Sequence, residues 1–341
     1  MNKFFRIMIF LGVFGLMLAG CGGKSATVSE NKEQTQPAKV LNLVTSVNSQ
    51  HSLYEGLVKF KEIVDRESNQ SIQVKVFHSG QMGGDREIAE AMNLGTIQVA
   101  IINPSLLANF VPEYMVFDLP FLFSNEQQVD RFLKDPVGQE ILNSGIKKGY
   151  VGLSYMEMGF RNLTNNKHEI KSLQDLKDIK MRVTENPIQI DTWKTLGAKP
   201  TPISFTELFT ALQQGTVDAQ ENSNGQIAAS KFYEVQKYLT TTNHMFGEGP
   251  LIASKKFMDS LSETERQIIF KAASSASDHQ IKINREREAT SLQLLKGKGM
   301  IVNELTPEEL NKFRQAVQPV YEKYEDKIGK DLLQRVLNAV K

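Results

Sequence analysis

Between residues 40 and 103 the hydrophobic pattern switches repeatedly between two periods, and that alternation restricts the fold more than any other feature. "VLNLVTSV" (40–47) alternates as a strand does, because successive strand side chains point to opposite faces. In "SLYEGLVKFKEIVDRES" (52–68), Leu53, Leu57, Phe60 and Val64 recur on one helical face. "IQVKVF" (72–77) returns to the strand period. "GGDREIAEAMNLG" (83–95) is helical, with Asp85 as N-cap and Gly95 as the C-terminal stop. "TIQVAII" (96–102) is a third strand. Strand, helix, strand, helix, strand predicts an α/β fold built on a parallel sheet.

The last helix–strand unit recurs. "AEAMNLGTIQVAIIN" (89–103) and "LFTALQQGTVDAQEN" (208–222) both run helix, Gly-Thr, short strand, asparagine. The second helix opens with "SFTE", where Ser204 and Glu207 are expected to form a capping box. Two similar α/β domains follow, each ending a strand in an asparagine, Asn103 in one and Asn222 in the other. Ligands of open α/β sheets sit beyond the carboxyl ends of the strands, so both asparagines are candidate site residues.

Elsewhere, "GYVGLSYMEMGFRNLTNN" (149–166) reads as a strand passing between domains, with Arg161 near its end. "SLQDLKDIKMRV" (172–183) reads as a short capped helix and a strand. "SKFYEVQKYLT" (230–240) is expected to be helical and "HMFGEGPLIAS" (244–254) a strand. From Ser262, capped by Glu265, one helical pattern continues to about Lys296, against a usual length of ~10–14 residues. Such a helix is expected to brace both domains. Thr306-Pro307-Glu308-Glu309 opens a final helical region. The expected division is 40–158 plus 248–287 for the first domain and 159–247 plus 288–341 for the second.

Residues 1–20 have the pattern of a signal peptide. Lys3 and Arg6 precede the apolar run "IMIFLGVFGLMLA" (7–19), which is short for a membrane span. "LAGC" (18–21) is the lipobox of bacterial lipoproteins and contains the sole cysteine, Cys21. Cys21 is therefore expected to carry lipid, residues 21–39 to form a flexible tether, and the folded body to sit extracytoplasmically on a membrane without disulfides.

Enzyme signatures are missing: no Walker loop, HExxH, GxSxG or GxGxxG follows the strands. The five histidines lack ligand spacing, so neither a metal nor a cofactor is expected. A net charge of +1 offers no basic field to nucleic acid. Two arginines stand out, Arg161 after "MEMGF" and Arg182 inside the strand pattern "IKMRV". A guanidinium in a half-buried strand either faces water or meets an opposite charge. Two of them near strand ends, beside an asparagine, suggest a convergent anion site, because the fork of arginine matches a carboxylate.

"KMRVTENP" followed by "LGAKPTPISFTELFTALQQGTVDAQEN" resembles the signature region of the DctP-type solute-binding proteins of TRAP (tripartite ATP-independent periplasmic) transporters. "GFRNLTNNKHEIKSLQDLK", "GQMGGDREIAEAMNLGTIQVAI" and "NFVPEYMVFDLPFLF" extend the similarity over about residues 40 to 320. The resemblance implies a two-domain, periplasmic-binding-protein-like clamshell. It would bind a small organic acid and deliver it to membrane permease subunits, without catalysis. By that resemblance Arg182 pairs with the ligand carboxylate, Arg161 and Asn222 assist, and Phe205 packs against the carbon skeleton. Asn103 falls at a specificity position, Ser46 and Gln50 in the first ligand loop, and Glu185 near a ligand hydroxyl. Neutral amides and hydroxyls around one arginine favour a sugar acid such as a uronate, with a C4-dicarboxylate next. A sensor module for a membrane receptor would share this site. An extracellular hydrolase would need a nucleophile or an acid–base pair, which the pattern lacks.

Overall fold

The computed structural model describes residues 38–341. Residues 1–20 and Cys21, with the signal and lipidation expectations that fall on them, lie outside the described residues. Nine strands, β1 Lys39–Val44, β2 Ile72–Phe77, β3 Val99–Ile101, β4 Tyr150–Asn165, β5 Lys180–Val183, β6 Lys199–Pro202, β7 Ala219–Ser223, β8 Tyr238–Ser254 and β9 Ile301–Glu304, form one hydrogen-bonded sheet. Its order is β2-β1-β3-β8-β4-β7-β5-β6, with β9 beside β8.

The repeat read from sequence becomes symmetry in this order. The parallel triplets β2-β1-β3 and β6-β5-β7 lie at opposite ends. The two long strands β4 and β8 run antiparallel between them, from Tyr150 opposite Ser254 to Asn165 opposite Tyr238. The repeated units therefore end in β3 and β7, which occupy matching places. Both are entered through a glycine in the left-handed region, Gly95 at φ 86° and Gly215 at φ 68°. A Cβ is strained there, which explains why the repeat keeps Gly-Thr. The sheet is mixed, not parallel throughout. The crossover helices make each triplet parallel, whereas β4 and β8 return the chain between the lobes and pair antiparallel with each other and with β7 and β3, while β9 adds to β8 in parallel.

The long helix Glu263–Gly297 starts with the expected box: the Ser262 hydroxyl accepts from Glu265 N at 3.3 Å, and Glu265 Oε2 accepts from Ser262 N at 2.8 Å. It packs on the helix Ser52–Glu67, on β4 and on the helix Asn224–Ala229, and so touches both lobes. Gln280 clamps β4, accepting from Glu157 N at 3.0 Å and donating to Glu157 O at 2.7 Å. Leu57, Phe60, Ile269 and Ala273 are fully buried between this helix and the sheet. Burying each side chain of leucine size contributes roughly 1.5–3 kcal/mol.

Three local expectations fail. Asp85 is the first residue of the helix Asp85–Leu94, and the cap is Gly84, whose N–H donates to Glu87 Oε2 at 2.9 Å. Ser204 and Glu207 form no box; the Ser204 hydroxyl shares a hydrogen bond with Thr206 Oγ1 at 3.0 Å. Residues 230–240 hold only a 3-10 turn, Phe232–Glu234, because Lys231 enters the left-handed region at φ 54° and Tyr238 onward is claimed by β4 and β9.

The C-terminal helices bond to two helices far apart in the chain. Tyr324 donates to Asp191 in the helix Pro187–Thr195 at 2.6 Å. Arg335 grips Glu140 in the helix Pro136–Asn143 at 2.6 and 2.9 Å. No helix among the described residues is long and apolar enough to cross a membrane.

Candidate functional site

A cleft with about 740 Å³ of empty space, open solvent included, lies beyond the carboxyl ends of the parallel strands. Thr45 and Ser46 follow β1, Asn103 follows β3, and Thr184 and Glu185 follow β5. The crossing strands add Arg161 and Glu248.

Arg182, in β5, answers the question its pattern raised: it faces neither water nor a tightly bonded acid. It is 2% exposed and lines the cavity. Nε donates to Ile203 O at 2.8 Å, the only side-chain hydrogen bond it makes among the described residues. Burial pushes the guanidinium down to about 10, Glu221 pulls it up and Arg161 pushes it down, so it remains a cation at neutral pH. Its two terminal nitrogens are thus uncommitted donors in a largely dehydrated site.

Arg161, on β4, is also 2% exposed, but its fork is closed. Nε donates to Glu221 Oε2 at 2.5 Å, and Nη2 donates to Glu221 Oε1 and to Glu221 O, both at 2.8 Å. His244 Nε2 lies 3.2 Å from Glu221 Oε2. Burial alone would raise the Glu221 carboxyl, but Arg161 and His244 more than offset it and hold it at about 2. Arg161 therefore enters the cavity already neutralised, with Nη1 as its remaining nitrogen.

The other expected residues divide by how committed they are. Asn103 caps the helix Pro104–Leu107, its Oδ1 accepting from Ser105 N at 2.9 Å, which leaves the Nδ2 amide as donor. Asn222 donates Nδ2 to Gln220 Oε1 at 2.6 Å, which leaves its Oδ1 as acceptor. Phe205 forms apolar wall, backed edge-on by Phe232 at 6.3 Å. Glu185 lines the mouth, but its carboxylate accepts from Arg86 Nε at 2.9 Å and its carbonyl from Asn109 Nδ2 at 3.0 Å. These bonds tie one lobe to the other, so Glu185 is not the open acceptor the resemblance suggested. Gln50 is not brought to the cavity. It is exposed, and its carbonyl accepts from Arg287 Nη1 at 3.2 Å.

Three acids of the lining were missed: Asp85, Glu248 and Glu87, the last already accepting from Gly84 N. Asp85 is partly exposed, into the cavity, beside Ser46 and Asn103. The enclosing protein pushes its carboxyl up to about 6, with Ser46 and Arg182 opposing. Reading it as a helix cap hid it. Glu248, fully buried in β8, lines the cavity too. A charged residue inside the apolar stretch "FGEGPLIA" is the same signal that singled out Arg182, and it would have found Glu248.

The arrangement offers one buried open guanidinium fork, Arg86 more exposed in the lining, amides and hydroxyls, carboxyls on the wall and an aromatic face. That combination binds and orients a small anion.

Comparison with known proteins agrees in kind. A family model described as bacterial extracellular solute-binding protein, family 7, matches residues 43–327. A solute-binding protein of Verminephrobacter eiseniae is 35% identical over 303 residues, 88% of either chain. The sugar acid binding protein of Advenella mimigardefordensis, solved in complex with galactonate, is 38% identical with a TM-score of 0.87, covering 89% of this chain and 98% of that one. A TRAP periplasmic solute-binding protein of Shewanella oneidensis with bound succinate is 31% identical with a TM-score of 0.86, covering 89% and 100%.

Proposed function

The chain belongs to the bacterial extracellular solute-binding proteins of family 7, the binding components of TRAP transporters, and on that premise we propose that its cavity takes a hydroxylated monocarboxylate, a sugar acid. The observation that carries this reading is the inequality of the two arginines. Glu221 closes the fork of Arg161, so Arg182 is the buried open fork, and it accounts for one carboxylate. A second carboxylate would approach Asp85 and find no second buried free fork; Arg86, the other guanidinium lining the cavity, is 46% exposed and spends Nε on Glu185. Hydroxyls, by contrast, match the remaining groups, because amides, serine and threonine hydroxyls and carboxyls offer both donors and acceptors. Phe205 supplies an apolar face for the carbon chain. In this reading Arg182 holds the carboxylate, Arg161 supports it through Nη1, Asn103, Asn222 and Ser46 meet hydroxyls, and Glu185 fastens the mouth. The similarity to a galactonate-bound protein supports it. The similarity to a succinate-bound one keeps a C4-dicarboxylate as the second reading.

A calorimetric panel of galactonate, glucuronate, galacturonate, succinate, malate and fumarate tests the choice. A sugar acid is expected to bind tightest. Tight succinate or malate binding with no response to any sugar acid sinks it and promotes the dicarboxylate.

The loaded protein delivers its acid to a membrane permease, acting as a carrier and not as an enzyme. We also read Cys21 as a lipidated residue that keeps the protein at the membrane surface; the support is the sequence "LAGC" alone. Diacyl anchoring is stable where a single chain is marginal. Cys21→Ser is therefore expected to leave the membrane fraction. Retention of that variant through a salt wash contradicts the anchor.

A further inference from the structure

We propose that Glu248 is a ligand-contacting, specificity-determining residue whose carboxyl group hydrogen-bonds one hydroxyl on the carbon chain of the bound acid. The proposal rests on the reading of the cavity as a sugar-acid site.

Glu248 is 0% exposed, yet it lines the cavity. Neither Oε1 nor Oε2 has a hydrogen-bond partner among the described residues. The neighbouring buried acids are all served. Asp118 accepts from Ser105 at 2.5 Å, Asn186 at 2.9 Å and Gln189 at 3.0 Å. Glu221 has Arg161, and Glu157 accepts from Arg285 at 2.9 and 3.0 Å. A carboxyl left unpaired in a dry wall is costly, and buried polar groups are nearly always bonded. Glu248 is an exception with both oxygens unpaired, and it sits where a ligand fits, in the same lining as the unpaired Oε1 of Gln226. An incoming hydroxyl relieves that cost, so the contact adds more to binding than the same contact made from water.

The groups facing Glu248 do not supply its partner. From β4, Glu157 lies directly opposite in the strand register and is bound to Arg285. Tyr155 donates its hydroxyl to Gly138 O at 2.9 Å, and Arg161 is held by Glu221. Asp118, from the 3-10 segment Pro112–Asp118, adds negative charge and is already bonded. Burial first, then Asp118 and Glu157, hold the Glu248 carboxyl well above the usual range against the opposing influence of its own backbone N–H and of Arg161. The shift favours the protonated form, which has one O–H to donate and oxygens to accept. A sugar hydroxyl, itself donor and acceptor, matches such a group. A neutral acid also spares the ligand carboxylate a repulsion.

Calorimetry of the wild type, Glu248→Gln and Glu248→Leu against galactonate and its monodeoxy analogues tests the assignment, with thermal unfolding to confirm that each variant is folded. Glutamine keeps shape, donor and acceptor, and is expected to stay within about threefold of wild type. Leucine is expected to lose about ten- to hundredfold on galactonate. One deoxy analogue should lose a similar factor on the wild type and lose nothing further on Glu248→Leu, the signature of a direct contact. An equal loss on every analogue means that Glu248 only shapes the wall and overturns the proposal. If the wild type binds none of the sugar acids, the premise fails and the assignment falls with it.

Discussion

Arg182→Ala is expected to weaken binding of the organic acid by about thirtyfold to a few thousandfold, because truncating one partner of a buried charged pair costs roughly 2–5 kcal/mol. The size of the effect follows from the surroundings. Arg182 is 2% exposed and spends only Nε on Ile203 O, so its terminal nitrogens meet the ligand with little competition from water. Arg182→Lys should fail nearly as badly, since an ammonium is a point charge and cannot present two parallel N–H groups to one carboxylate. Calorimetry measures both. Ordinary affinity in the alanine variant would falsify the assignment of Arg182 to the carboxylate. Thermal unfolding should change little, because the alanine variant loses one hydrogen bond to a carbonyl and sheds a guanidinium that burial penalises.

Glu221→Ala should behave in the opposite way, costing stability before function. It strands the Arg161 guanidinium, 2% exposed, and removes the partner of His244 Nε2. Removing one member of a buried ion pair typically costs about 3–5 kcal/mol. Urea unfolding should show that loss. Replacing both residues, as Arg161→Met with Glu221→Leu, should recover much of it, since the double variant leaves no charge unpaired. The folded Glu221 carboxyl is held down at about 2, against an ordinary 4.5. Its contribution is thus present above about pH 4.5 and lost as the pH falls through 2. A loss below about 1 kcal/mol for Glu221→Ala would mean that β4 and β7 are held by something other than this pair.

What could be read from the sequence alone was local. The strand and helix periods over residues 40–102 required only neighbours within a turn or two, and they matched β1, β2, β3 and the helices between them. The Ser262–Glu265 box spans one helical turn, and the internal repeat located Gly95, Gly215 and both cavity asparagines without any knowledge of pairing. The brace was legible as well, because no break interrupts its helical pattern. Arg182 was legible because a charge in a strand pattern demands an explanation wherever the strand goes.

Tertiary structure decided what depends on partners distant in sequence. The direction of β4 and β8 is a property of the sheet order and not of either segment. Residues 238–240 end a segment with a helical pattern, but β4 and β9 supply backbone partners that a lone helix cannot match. Ser204 and Asp85 have the residue types of caps, yet one turns to Thr206 and the other to the cavity. Gln50 lies a few residues from Ser46 and still points away, because Arg287 of the brace holds its backbone. Above all, Arg161 and Arg182 look alike in sequence. Glu221, 60 residues from Arg161, closes one fork, while nothing closes the other. Pattern records which residues want burial; only the folded arrangement settles which charges are neutralised before a ligand arrives, because Coulomb attraction acts through space and takes no account of chain separation.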